Sequence, residues 1–124
     1  MKKTTLLVLA NLVLFLTLSS CSQHTLDDIK DEAEPIPETV IYQDIKPIID
    51  AACLSCHSNP PQNGAPMSLT SYENVKEAVL NRGLIFKISK NEGDNGLMPL
   101  GGPRLPQSSI DLIVAWNNDG LLEN

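Results

Sequence analysis

Apolar residues recur every three or four positions in three stretches of the chain, a spacing that gathers them on one face of a helix. The first stretch covers about residues 44–52. Asp44 is its expected N-cap, so that Pro47 falls in the first turn, where a missing N–H is tolerated. The apolar face consists of Ile45, Ile48, Ile49 and Ala52. We expect this helix to end just before Cys53.

The other two stretches follow after an interval. The second begins at Thr70, which forms a capping-box pattern with Glu73, and Gly83 is expected to end it. Its buried side is expected to consist of Tyr72, Val75 and Val79. The third begins near residues 108–109 and stops before Gly120. Its apolar residues are Ile110, Ile113, Val114 and Trp116.

The segments between these helices predict no sheet. Residues 84–88 are compatible with a short helix or an extended piece, and residues 91–106 are rich in glycine and proline, which predicts a loop. No convincing run of alternating apolar and polar residues predicts a strand. We therefore predict an all-α domain of about three to four helices.

The first twenty residues resemble a bacterial lipoprotein signal peptide. A basic start precedes an apolar run of 13 residues, from Leu6 to Leu18, and small residues lead into Cys21. A membrane-spanning helix needs about 20 apolar residues, so this run is short for a permanent span. The resemblance implies cleavage before Cys21 and a lipid on its sulfur. It also implies export and anchoring to an envelope membrane, at its periplasmic or outer face. A plain signal peptide is the alternative.

The region after the predicted cleavage site is strongly acidic. Residues 21–39 start with the lipidated cysteine and continue as a polar stretch with two prolines, which predicts a flexible tether, and the folded domain then covers residues 40–124. Cleavage removes Lys2 and Lys3 but no acidic residue, which takes the formal charge from −6 to −8. Phosphate backbones repel such a protein, so we expect no nucleic-acid binding, whereas a basic partner could be steered towards it.

Residues 53–57 read CLSCH and match C-x-x-C-H, the pattern of covalent haem attachment. The thiols of Cys53 and Cys56 can each add to one vinyl group on the same edge of a haem. The adjacent His57 then offers a ring nitrogen to the iron. With Cys21 assigned to the lipid, none of the three cysteines is left over. The motif thus predicts one covalently bound haem c.

Three other readings of the motif are weaker. A zinc site needs four ligands, and the only histidine outside the motif is His24 in the tether. A thioredoxin-like site has its cysteines at the start of a helix after a strand, whereas here a predicted helix precedes them. A structural disulfide between cysteines this close would close too small a loop to gain much stability.

Two methionines remain as candidates for the sixth ligand of the iron. Met98 lies on the loop before the last helix, with enough chain after His57 to reach the other face of a haem. Met67 follows His57 by only ten residues and is expected to stay on the histidine side. We therefore favour Met98.

These features together resemble the class I cytochromes c, more narrowly the small bacterial domains, over about residues 40–120. The likeness rests on the helix leading into CLSCH, on Met98-Pro99, and on the last helix with Trp116. It implies a small fold wrapped around one haem. The cofactor-binding residues it implies are Cys53 and Cys56 as thioether sites, His57 as the proximal ligand and Met98 as the distal ligand.

The resemblance also implies a second contact of the histidine ring. In the family, a proline carbonyl accepts a hydrogen bond from the other ring nitrogen, which fixes the orientation of the ring. Pro66 matches that place best, while Pro60 and Pro61 are alternatives. Arg104 and Trp116 are candidates for contacts with a haem propionate.

A haem iron held by histidine and methionine has no open position for a substrate. The resemblance therefore implies a monomeric one-electron carrier rather than an enzyme. Its partners would be redox proteins, such as a respiratory complex, an oxidase or a dehydrogenase. Two alternatives are a haem enzyme or gas-binding sensor with an exchangeable distal ligand, and a haem-free thiol–disulfide lipoprotein.

Overall fold

The structure, a computed structural model, describes residues 35–124, which contain four helices. Helix α1 spans Tyr42–Ala52, α2 spans Tyr72–Asn81, α3 spans Leu84–Ile88 and α4 spans Gln107–Asn118. These residues form no strand, and their one β-type pairing is a parallel bridge between Ile41 and Leu122. The all-α prediction is confirmed, and residues 84–88 adopt the helical alternative. The predicted signal peptide, Cys21 and residues 21–34 of the tether lie outside the described part.

The core forms where α1 packs against α4, with α3 contacting both α2 and α4. Ile45 and Ile49 of α1 meet the inward face of α4, on which Ile110, Ile113 and Trp116 are almost completely buried. Burial of such side chains is the main favourable contribution to folding, about 1.5–3 kcal/mol for each large aliphatic residue. None of the four described helices is long and apolar enough to cross a bilayer.

Helix α1 begins two residues before its predicted start. Its N-cap is Ile41, and the carboxylate of Asp44 reaches back to accept a hydrogen bond of 2.8 Å from the Ile41 N–H. The assignment of Asp44 as N-cap was therefore wrong, because this carboxylate caps from the third helical position. Pro47 consequently lies inside the helix rather than in its first turn. Its side chain is exposed, and the Gln43 carbonyl receives no helical hydrogen bond from residue 47, because the proline nitrogen has no hydrogen to donate.

The starts of α2 and α4 also differ from prediction by one or two residues. Ser71, not Thr70, is the N-cap of α2, and its hydroxyl accepts a hydrogen bond of 3.3 Å from the Asn74 N–H. The Thr70 hydroxyl instead lies 2.9 Å from that of Ser68. Helix α4 begins directly after Pro106 without a side-chain cap. Gly83 separates α2 from α3 with φ +67°, a conformation that favours glycine.

The end of the domain is fastened to its beginning by backbone carbonyls. The Leu122 carbonyl accepts hydrogen bonds from the Tyr42 N–H at 2.9 Å and from Trp116 Nε1 at 2.8 Å. The Leu121 carbonyl accepts one of 2.8 Å from the Tyr72 hydroxyl. The three aromatic rings involved lie 5.6–6.3 Å apart between centroids, a separation typical of favourable aromatic pairs.

A carboxylate completes this closure. Asp119, the C-cap of α4, accepts a hydrogen bond of 2.7 Å from the N–H of Val40, a fully buried residue. Asp119→Ala is expected to lower the free energy of unfolding by about 1–3 kcal/mol, because it leaves that N–H without an acceptor. Urea unfolding followed by circular dichroism measures the change. Asp119→Asn keeps an oxygen acceptor and should lose less than half as much, and equal losses in the two variants would contradict this assignment.

Candidate cofactor site

One cavity gathers the candidate residues of the described part. Its volume is about 670 Å³, within the range of about 300–1,000 Å³ found for small-molecule and cofactor sites. Cys53, Cys56, His57 and Met98 all lie on its wall. Cys21, the fifth candidate, lies outside the described residues.

The rest of the cavity wall is mainly apolar. Several of its residues also belong to the buried core: Leu69, Ala78, Leu84, Ile88 and Leu105. Leu100 lies on the same wall but is 73% exposed, so the cavity has an apolar rim at the surface. A ligand bound there would contact core side chains and reach solvent near Leu100.

The end of α1 positions the motif. Cys53 is the C-cap of the helix, and its N–H donates to the Ile49 carbonyl at 2.9 Å. The Cys53 carbonyl then accepts from the N–H groups of Cys56, at 3.2 Å, and His57, at 2.9 Å. The chain therefore makes one further turn after the helix. This turn holds both thiols and the imidazole at one cavity.

The two thiols differ in their surroundings. They are not joined in a disulfide, and both residues are half-buried. Burial raises the pKa of the Cys53 thiol to about 11, so that thiol is protonated at neutral pH. The sulfur of Cys56 accepts weak hydrogen bonds from Asn63 Nδ2 at 3.6 Å and from the Ser55 hydroxyl at 3.9 Å.

His57 is fixed through both its backbone and its ring. Besides the bond to Cys53, its carbonyl accepts from the Leu69 N–H at 2.8 Å. Its Nδ1 donates to the Met67 carbonyl at 2.8 Å. Because a carbonyl can only accept, Nδ1 carries the proton, and the lone pair of Nε2 is available to a metal. Within residues 35–124, Nε2 makes no hydrogen bond.

The acceptor for the histidine ring is one residue away from the predicted one. The carbonyl of Met67, not of Pro66, holds Nδ1. Pro60, one of the alternatives, has a carbonyl that accepts instead from Ser58 Oγ at 2.9 Å. The proline assignment was therefore wrong, although the expected kind of contact, a carbonyl from the loop after the motif, is present.

The two methionines reach the cavity from different loops. Met67 lies beside His57, because its carbonyl is bound to the imidazole ring. Met98 belongs to the loop before α4 and is tied to α3, since its N–H donates to the Lys87 carbonyl at 3.2 Å. It is half-buried on the cavity wall. The structure thus offers a thioether on a segment distinct from the one that holds the imidazole.

The two residues considered for propionate contacts bond elsewhere. Trp116 Nε1 donates to the Leu122 carbonyl, and Arg104 donates to the Lys90 carbonyl at 2.9 Å and to Gln107 Oε1 at 2.8 Å. Neither Trp116 nor Arg104 lines the cavity.

Two cationic residues on the cavity wall were not found from the sequence. Arg82 and Lys87 are the arginine and lysine residues of the wall, and no carboxylate of the described chain joins them. Arg82 follows α2 and Lys87 lies in α3. Their shared location depends on the turn at Gly83, which no local sequence pattern relates to the motif.

A conventional metal site is not present in this part of the chain. Residues 35–124 hold no group of three or more His, Cys, Asp and Glu side chains that could bind a metal ion. They therefore contain no ligand set for the four-coordinate zinc site considered above.

No model of a known protein family, no curated protein and no solved structure matches the chain.

Proposed function

We propose that this protein is a lipid-anchored monohaem c-type cytochrome that carries single electrons between redox proteins at the cell envelope. One observation carries the proposal: two unpaired thiols, an imidazole with a free Nε2 and a methionine line the same apolar cavity. In this proposal, the small helical domain adopts a class I cytochrome c-like fold around the cofactor.

The thiols would hold the haem covalently. The S–H groups of Cys53 and Cys56 would each add across one vinyl double bond. Each addition forms a C–S bond and leaves the thiol hydrogen on the neighbouring carbon, so that no oxidant is consumed. The turn after α1 brings both cysteines to the wall of the same cavity, which is compatible with attachment to one edge of a haem.

His57 and Met98 would be the protein ligands of the iron. The Met67 carbonyl fixes the tautomer and orientation of the imidazole, so that Nε2 needs little reorganisation to bind a metal. Met98 would bind from its loop, which is anchored to α3. When bound, haem supplies an iron that exchanges one electron, and methionine ligation raises its reduction potential.

The remaining cavity residues would insulate the cofactor and expose one edge. The buried core residues on the wall, including Leu84 and Ile88, would shield the bound cofactor from water. Leu100 at the rim leaves an apolar surface near the opening. An exposed apolar rim suits brief docking of a redox partner, for which interfaces below about 1,200 Å² are usual.

The thiol–disulfide alternative is disfavoured by where the cysteines lie. Reactive cysteines gain a lowered pKa at helix N-termini or beside cations. Here the motif follows the C-terminus of α1, where the helix dipole opposes a negative charge. In agreement, the Cys53 thiol has its pKa raised to about 11 by burial.

The enzyme or gas-sensor alternative lacks acid–base groups at the cavity. Among the described residues, His57 is the sole histidine, and no carboxylate lines the wall. A catalyst would need a distal group able to move protons. The electron-carrier proposal needs none, since His57 and Met98 would both serve as ligands of the iron.

The lipid anchor on Cys21 would confine the domain to one membrane surface. Residues 21–39 would act as the tether and raise the effective concentration of the domain near membrane-bound partners. The carrier would work as a monomer, without nucleic-acid partners. Its electron donor and acceptor would come from the respiratory complexes, oxidases or dehydrogenases of that membrane.

Covalent attachment gives the most direct test. When the full chain is made in a bacterium that matures c-type haem, the mature mass is expected to include one haem, and an alkylating reagent should modify neither Cys53 nor Cys56. The Cys53→Ala/Cys56→Ala double variant should lose the covalent haem. A wild-type protein with no added macrocycle and two freely reacting thiols rules out the proposal.

The two methionines form a matched pair for the distal ligand. Met98→Ala is expected to abolish the far-red absorption band of methionine–iron bonding. It should lower the reduction potential by on the order of 0.1 V or more, because axial ligands set the potential over a range of about 0.8 V. Met67→Ala should keep the band, since the backbone carbonyl of residue 67 still holds His57. The reverse outcome assigns the distal position to Met67. A high-spin spectrum of the wild-type protein that changes with carbon monoxide supports the enzyme or sensor instead.

The anchor can be tested separately from the haem. Cys21→Ala should move the protein from the membrane fraction to the soluble fraction, because it removes the sulfur that receives the lipid. Its absorption spectrum should be unchanged, since Cys21 is not assigned to the haem. Cell fractionation and spectroscopy of the same samples provide both measurements. Tight membrane association of the variant would argue against lipidation.

A further inference from the structure

The cavity wall has a charge pattern opposite to that of the chain. Residues 35–124 contain ten acidic and six basic side chains, yet Arg82 and Lys87 line the cavity and no carboxylate does. An apolar cavity with cations on part of its wall favours a ligand that is largely apolar but carries anionic groups.

The other four basic residues of the described part are engaged away from the cavity. Lys46 pairs with Asp50, and Lys76 donates to the Tyr72 hydroxyl. Lys90 donates to the Asn95 carbonyl, and Arg104 makes the backbone and Gln107 contacts described above. The two cavity cations therefore form a subset of the basic residues that is distinguished by location.

We propose that Arg82 and Lys87 form a carboxylate subsite that receives the propionates of the bound cofactor. This inference rests on the proposed function, because it takes haem as the occupant of the cavity. Haem carries two carboxylate side chains, and its planar ring is otherwise apolar. The two cations would compensate the charges of the two carboxylates, which no other lysine or arginine of the wall could do.

The two side chains suit this role in different ways. A guanidinium can hold a carboxylate through two parallel hydrogen bonds, whereas an ammonium acts as a compact charge with three donors. Arg82 Nε lies 3.5 Å from Glu77 Oε1, and the two side chains are 66% and 43% exposed, so this solvent-accessible pair contributes little and can rearrange. Within residues 35–124 the Lys87 ammonium makes no hydrogen bond or ion pair.

A backbone hydrogen bond joins Lys87 to Met98, the proposed distal ligand. Its carbonyl accepts from the Met98 N–H at 3.2 Å, and its own N–H donates to the Gly83 carbonyl at 3.0 Å. Gly83 also adjoins Arg82, so the turn at this glycine connects the two segments that carry the cations. The subsite is thus part of the frame that carries the Met98 loop.

The test compares the purified, haem-loaded full chain with Arg82→Gln and Lys87→Gln. Resonance Raman spectroscopy reports the bending modes of the haem propionates, and a redox titration reports the equilibrium constant for reduction. Each variant is expected to shift the propionate modes. Each should also lower the equilibrium constant about three- to tenfold, because a nearby cation favours the reduced, less positive iron. A tenfold change corresponds to about 59 mV for a one-electron couple.

Two further variants separate a subsite from a general charge effect. Lys46→Gln removes the same charge from a residue that does not line the cavity, and it should leave the propionate modes and the equilibrium constant within twofold of wild type. Arg82→Lys keeps the charge and should leave the reduction potential close to that of wild type. The propionate modes should still shift, because bidentate bonding is lost.

The outcomes distinguish the inference from the function on which it rests. A wild-type chain without a covalent macrocycle overturns both. A loaded protein in which Arg82→Gln and Lys87→Gln behave like Lys46→Gln overturns the subsite alone. A changed potential with unchanged propionate modes also overturns it, since the charges would then act without contacting the carboxylates. The side chains of Arg82 and Lys87 are exposed, so these substitutions should not impair folding.

Discussion

The fixed imidazole of His57 is the constraint on which the arrangement of the site depends. Its ring is held by the Met67 carbonyl, while its backbone N–H and carbonyl are held by Cys53 and Leu69. These bonds connect the end of α1 to the loop that follows the motif. Through the same bonds the free Nε2 obtains a defined position, since a ring fixed at Nδ1 cannot change its tautomer or turn freely. The wall that contains the thiols is therefore built by ordinary backbone hydrogen bonding.

The domain divides its stabilising contacts between two regions. In the first, the Tyr42 N–H, the Tyr72 hydroxyl and Trp116 Nε1 join the two ends of the folded part by donating to the carbonyls of Leu121 and Leu122. The second is the wall of the cavity, where aliphatic side chains of the core pack beside the loops. A domain this small buries a limited share of its surface, and small scaffolds commonly rely on a cross-link, metal or similar addition. A covalently held apolar cofactor would extend the core into the cavity, as the proposed function requires.

Local patterns predicted the elements better than the contacts between them. The helices and the all-α class follow from apolar spacing, and the motif follows from residues within one turn. The starts of helices were wrong by one or two positions because several polar residues can cap the same end, as Asp44 did from inside α1. The acceptor for His57 was assigned to Pro66 rather than Met67, since sequence alone does not fix the register of a loop against a ring.

The charges of the cavity show why total charge is a poor guide to a binding site. At physiological ionic strength the Debye length is about 8 Å, so carboxylates farther than this from the cavity are largely screened from it, whereas Glu77, 3.5 Å from Arg82 Nε, is not. The closest charges determine which ligand groups are favoured there, and on this wall they are Arg82 and Lys87. A net charge of −6 consequently concerns solubility and long-range encounter with partners, and it is compatible with a site that attracts carboxylates. Because the positions of both cations depend on the turn between α2 and α3, the fold rather than the composition gives the cavity wall its positive charge.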